Sequence, residues 1–160
     1  MGDYDFTKEG LSVAVSKLPL LEHLEIESFI IVLDPETLRT IGRCGPLLKS
    51  LKLKDLCHML GLFISSDEDA LAIAQTMPKL HHLEIVGNRI TNFGLHALLD
   101  SCSDLQSLDL RKCRYLDFEE RLKKKCSERI KTLRLPADEP VNGSTFQWLT
   151  SGFPYNLPFP

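Results

Sequence analysis

Leucine and isoleucine recur along the chain in triplets whose members are three and then two residues apart: Leu21/Leu24/Ile26, Leu48/Leu51/Leu53, Leu80/Leu83/Ile85, Leu105/Leu108/Leu110 and Ile130/Leu133/Leu135. The first members are 27, 32, 25 and 25 residues apart. Alternation of the second and third members marks a strand with one buried face. Between triplets the apolar residues return at helical spacing, as in Leu38/Ile41/Cys44, Leu71/Ala74/Met77 and Leu95/Leu98/Cys102. The chain therefore reads as five strand–helix units. A unit of about 25 residues cannot bury both of its faces alone, so successive units must stack into a curved solenoid, strands side by side in a parallel sheet and helices behind it.

The helix starts are legible in the polar residues. Asp34-Pro35-Glu36 places a capping acid before a proline at the first helical position, where a missing N–H costs nothing, and predicts a helix over 35–43. Carboxylates at Asp67, Glu68 and Asp69 sit where the helix dipole is positive and predict a helix over 68–77; Thr91 introduces one over 92–101. Asp117 with Glu120 three residues later reads as a variant capping box for a helix over 118–125. Asn88 and Cys113 each lie three residues beyond their triplet, where a small polar or thiol side chain can hydrogen-bond the backbone leaving the strand. Cys102 and Cys126 read as small buried hydrophobes. The organisation expected is an N-terminal extension over 1–8, about five repeats over 9–136 and an irregular Pro- and aromatic-rich tail over 137–160 that includes Trp148. At the first unit, Leu11, Val15, Leu24 and Ile26 are expected to form an incompletely covered flank.

Positions that alternate with the buried leucines form three rows across the sheet: His23, Ser50, His82, Ser107 and Thr132; then Glu25, Lys52, Glu84, Asp109 and Arg134; then Glu27, Lys54, Val86, Arg111 and Pro136. Opposite charges fall beside each other at Glu25/Lys52/Glu84 and at Asp109/Arg134, which helps pair the strands by a few tenths of a kcal/mol each. Solenoids place partners on such a surface, so these residues, Pro136 excepted, are the candidate protein-binding face.

Composition narrows the function further. The 160 residues are 43% hydrophobic and 26% charged with a net charge of -3, an ordinary globular balance that argues against a general nucleic-acid binder. Charge is uneven: residues 111–134 are +6 and the remainder -9. The lysine-rich stretch at Lys123, Lys124 and Lys125 has no interleaved aromatic residue and reads as a solvated face, with steering of an acidic protein partner as its functional option. No apolar run approaches the roughly 18 residues of a membrane span. The acidic start lacks a secretory pattern, so a cytoplasmic or nuclear protein with five free cysteines (44, 57, 102, 113, 126) is expected. Glycine-rich phosphate loops, zinc-protease signatures and nucleophile elbows are missing. His81-His82 on a strand point to opposite sides, Cys57-His58-Met59 lacks paired metal-ligand spacing, and Asn142-Gly143-Ser144 reads as an unmodified turn. No catalytic residue, cofactor or metal is expected, and the chain is expected to be a monomer.

The two clearest units run Leu80-His-His-Leu-Glu-Ile-Val-Gly-Asn-Arg-Ile-Thr-Asn-Phe-Gly-Leu, closing on Cys102, and Leu105-Gln-Ser-Leu-Asp-Leu-Arg-Lys-Cys. They resemble the cysteine-containing leucine-rich repeat, LxxLxLxxC/N followed by I-T-[DN]-x-G-L. With the phrases Lys17-Leu-Pro-Leu-Leu-Glu-His-Leu-Glu-Ile and Gly45-Pro-Leu-Leu-Lys-Ser-Leu-Lys-Leu, residues 9–136 resemble the repeat region of plant F-box/leucine-rich-repeat proteins. The resemblance implies an α/β leucine-rich-repeat solenoid of the ribonuclease-inhibitor-like kind, parallel strands on the concave face and helices on the convex one. It further implies the substrate-recognition half of an SCF-type (cullin–RING) ubiquitin ligase, acting in ubiquitin-dependent protein degradation. In that family an F-box docks on the Skp adaptor. Here Glu9 opens inside what would be a middle repeat with no F-box before it, so this chain alone is expected to bind a protein substrate and not the adaptor. The alternative is a free-standing interaction scaffold or decoy without ligase coupling.

Overall fold

The computed structural model describes residues 7–28, 33–55 and 65–136. The segment holding Cys57, His58 and Met59, the Asn142 turn and the whole tail from 137 to 160 lie outside the described residues. Helices and strands alternate: α1 Lys8–Ser16, β1 His23–Ser28, α2 Pro35–Cys44, β2 Ser50–Asp55, α3 Glu68–Thr76, β3 His82–Val86, α4 Asn92–Ser101, β4 Ser107–Asp109, α5 Glu120–Arg129 and β5 Thr132–Arg134. The five strands form one parallel sheet in the order β1-β2-β3-β4-β5, the stacking that the triplets require.

The register is the one the triplets dictate. Leu24, Leu51, Leu83, Leu108 and Leu133 lie side by side, as do His23, Ser50, His82, Ser107 and Thr132. The four strands β2 to β5 are started by the same device. Two consecutive N–H groups share one carbonyl of the preceding unit: Lys49 and Ser50 on Glu22, His81 and His82 on Lys49, Gln106 and Ser107 on His81, and Lys131 and Thr132 on Gln106. A tight turn sets up three of these: Leu48 N to Gly45 O, Leu80 N to Met77 O and Leu105 N to Cys102 O. Leu51, Leu83 and Leu108 share one buried face with Leu38, Ile73, Leu95 and Leu98 from the helices, a single core running through the stack. At the ends, Leu24 and Leu133 are only half-buried.

Thr7 caps α1 by accepting from Gly10 N at 3.0 Å. Three expectations change. Leu11, Val15 and Ile26 are buried, so the first flank is more closed than its place implies; the exposed apolar groups there are Val13, Leu18 and Leu20, at 53%, 50% and 77%. Helix α5 runs over 120–129 and not 118–125. Asp117 does not cap it, since Asp117 N donates to Asn92 Oδ1 (3.0 Å) and Asp117 O accepts from Asn92 Nδ2 (2.6 Å), pinning that backbone to α4. Asp67, at the start of α3, makes no side-chain bond to its own helix. Its carboxylate serves the next unit instead, accepting from Thr91 N (2.7 Å), Thr91 Oγ1 (2.7 Å) and Gly94 N (3.1 Å).

Candidate protein-binding face

The outer side of the sheet is built by the alternation of each strand, which turns one set of side chains into the core and the next set out. The first predicted row is intact across all five strands. His23, His82 and Thr132 are exposed, Ser107 is half-buried, and Ser50 is buried between its longer neighbours. The second row, Glu25, Lys52, Glu84, Asp109 and Arg134, is also continuous. The third holds over Glu27, Lys54 and Val86 only. Strands β4 and β5 are three residues long and end before Arg111 and Pro136. The chain turns away after β4, with Lys112 in the left-handed region at φ 63.

Most charges on this face are spoken for. Lys52 Nζ lies 3.4 Å from Glu25, and Lys54 Nζ lies 3.7 Å from Glu25 and 3.1 Å from Glu27. The bond from Glu27 raises the Lys54 ammonium above its ordinary range. Beside the rows, Lys49 donates to Glu22 at 2.7 Å, a bond that lowers the Glu22 carboxyl. This pair was missed in the sequence, although Glu22 and Lys49 occupy the same place in consecutive units. Asp109 departs from the expectation of a solvent-facing charge, being 5% exposed. Burial pushes its carboxyl up, but hydrogen bonds from the Arg111 side chain and backbone, with Arg134 nearby, outweigh that and hold it below its ordinary value. Arg111 grips it through Nε at 2.9 and 3.0 Å and Nη2 at 2.8 Å, and Arg134 Nη1 approaches to 3.5 Å. Arg111 therefore braces the sheet more than it greets a partner.

Glu84 differs from these. Half-buried between Lys52 and Asp109 in register, it makes no close ion pair or side-chain hydrogen bond among the described residues and feels the Lys54 charge only at longer range. With exposed His82 two residues before it, it borders a depression of about 300 Å³ also lined by Ser50, Ser107, Thr132 and Arg134. His81 and His82 meet edge to face, 6.4 Å between ring centres, and among the described residues no cluster of three or more His, Cys, Asp or Glu could hold a metal ion. The thiols behave as buried apolar groups. Cys113 donates to Ile85 O at 3.1 Å and burial pushes it up to about 12, while burial raises Cys102 to about 11.

On the opposite side, the basic helix is largely neutralised. Lys123 lies 3.4 Å from Glu120, Lys124 3.9 Å from Glu128 and Lys125 2.8 Å from Asp100. Arg129 donates to Leu99 O and, at 3.3 Å, to Cys102 O, closing the C-terminal end of α4. No described helix is long and apolar enough to cross a membrane.

Parallel strands in single-file order, alternating with helices, with four of the five opened by the same shared carbonyl, define a leucine-rich-repeat solenoid. The C-terminal domain of tropomodulin from Caenorhabditis elegans has a similar fold, with a TM-score of 0.57 over 82% of this chain and 84% of that one, at 15% identity. No protein-family model matches the chain. Among curated proteins it is 47% identical over 135 residues to the Arabidopsis thaliana protein named F-box/LRR-repeat protein 23, covering 84% of this chain and 30% of that protein. It is 42% identical over 163 residues to F-box/LRR-repeat protein 21 (94% and 49%) and 44% identical over 134 residues to F-box protein SKIP19 (82% and 41%), both also from Arabidopsis thaliana. Over most of its length the chain is homologous to plant F-box/LRR-repeat proteins, and it spans less than half the length of each of these relatives.

Proposed function

We propose that this chain is a non-catalytic protein-recognition module: it holds a protein substrate on its strand face for an SCF-type ubiquitin ligase, in the manner of the substrate-recognition half of an F-box protein. The observation that supports this is the register of the sheet, which lines up two unbroken five-residue polar rows on one side while every leucine triplet is turned to the other. Kinship with proteins named for an F-box and leucine-rich repeats supplies the ligase half of the reading. Within the face, His82 and Glu84 are the contacts of choice, because their side chains are not consumed by holding the sheet together.

The test is a His82→Asp/Glu84→Lys double variant, with Arg111 left in place because its guanidinium neutralises buried Asp109. Tagged wild-type and variant chains are expressed in plant cells with the proteasome blocked, and retained proteins are quantified by mass spectrometry. The variant should lose its principal partner at least tenfold with an unchanged circular dichroism spectrum. Full retention by this variant, with loss on changing Lys123 and Lys124 to alanine, would move recognition to the basic helix and overturn the assignment.

A further inference from the structure

In the middle of the strand face the fold leaves one carboxylate uncompensated at close range. Glu84 belongs to β3, with β2 on one side of it and β4 on the other. The cations around it are committed elsewhere. Lys52 Nζ lies 3.4 Å from Glu25 and Lys54 Nζ 3.1 Å from Glu27, while Arg111 and Arg134 approach Asp109 to 2.8 and 3.5 Å. Lys54 reaches Glu84 only through its longer-range field. A half-buried carboxylate has lost part of its hydration, so a cation brought to it from outside gains more than it would at an open surface.

The depression of about 300 Å³ beside Glu84 supplies what a guanidinium needs. That volume is at the lower end of pockets that enclose small molecules, roughly 300–1,000 Å³, and suits one protruding side chain. Leu83 and Leu108 are in its lining and give apolar contact to a methylene stem. The hydroxyls of Ser50 and Ser107, one from each flanking strand, can accept from N–H groups that the carboxylate leaves over. The exposed imidazole of His82, two residues earlier on the same side of β3, is a flat ring on which a guanidinium can stack. A lysine ammonium would meet the same carboxylate as a point charge, without the fork that engages both oxygens or the plane that stacks.

We infer that the partner of this face is a protein segment presenting an arginine, whose guanidinium pairs with the Glu84 carboxylate and stacks on His82 while its stem lies in the depression. The inference rests on the strand face being the recognition surface, and specifies the chemistry of what that surface takes.

The test is an NMR titration of the full, isotope-labelled 160-residue chain with the capped peptide Gly-Ser-Arg-Ser-Gly and with counterparts carrying lysine, citrulline or glutamate at the centre. The arginine peptide should shift the amide signals of His82, Glu84 and Ser107. It should bind at least threefold more tightly than the lysine peptide and tenfold more tightly than the citrulline peptide, which keeps the shape of arginine without its charge. Glu84→Gln, nearly isosteric, should weaken the arginine peptide at least fivefold, and Glu36→Gln, on exposed α2 behind the sheet, should leave it unchanged. Amide signals unaltered away from the depression verify that both variants are folded. Preference for the glutamate peptide, equal binding of the lysine peptide, indifference to Glu84→Gln, or no shift at the depression with any peptide would overturn the inference. Protein recognition by the face is decided separately, by capture with the His82→Asp/Glu84→Lys variant: a natural partner lost on that variant, yet bound undiminished after its own arginines are changed, would strike the arginine alone.

Discussion

At the scale of single residues, Asp109 shows how one charge is kept inside a sheet. A buried carboxylate without partners costs several kcal/mol, and here two guanidinium groups remove that cost. The two sides of the arrangement are unequal. Arg111→Ala leaves the buried carboxylate with the backbone N–H of residue 111 at 3.2 Å and the longer 3.5 Å contact to Arg134, whereas Asp109→Asn leaves two arginines that water can reach. Arg111→Ala should therefore cost about 2–3 kcal/mol and Asp109→Asn about 1 kcal/mol. The pH dependence follows from the sign of the shift. Because the native carboxyl titrates below its ordinary 3.8, its contribution is fully present above that value and is lost as pH falls through the lower native one. Urea titrations should show the gap between wild type and Arg111→Ala widest at pH 7 and narrowing below about pH 4; an equal gap at pH 7 and pH 3 would contradict the account.

Between elements, the contacts that matter join residues about one repeat apart. The Asp67 carboxylate reaches over to the first turn of α4, satisfying N–H groups that the helix cannot satisfy itself. It can do so because residue 94 is glycine: a Cβ there would overlap Asp67 Oδ1 and press on Ile90 and Ala70. Gly94→Ala should destabilise the chain by about 1–3 kcal/mol, although alanine is the better helix former by roughly 1 kcal/mol. A thermal midpoint at or above that of wild type would refute this role for the glycine. The same contacts explain what could be read from the sequence. Strand register was legible, since the 3-then-2 spacing of the triplets fixes which residues pair. Two of the three surface rows followed from it. The start of α5, the outward reach of Asp67 and the folding back of Arg111 were not legible. Each is decided by a hydrogen bond to the neighbouring unit, or by where a strand of three residues stops, and local capping rules contain neither. The rows could therefore be read in advance, but their division into bracing groups (Asp109, Arg111) and available ones (His82, Glu84) depends on the folded structure.

For the whole molecule, stability is close to a sum of units and the interfaces between them, so a unit with one neighbour is held less firmly than one with two. The leucine row records this directly: Leu51, Leu83 and Leu108 are at most 2% exposed, while Leu24 and Leu133 at the ends are half-buried. Strand length adds to the gradient, since β5 has three residues where β2 has six. Opening should accordingly begin at the ends and most readily at β5, where few backbone bonds and one half-buried leucine must be given up. Hydrogen exchange read by mass spectrometry should find peptides covering β2 and β3 at least tenfold more protected than the peptide covering β5, with β1 between them. Uniform exchange along the sheet would mean that the five units open as one block, and the additive picture of this solenoid would have to be abandoned.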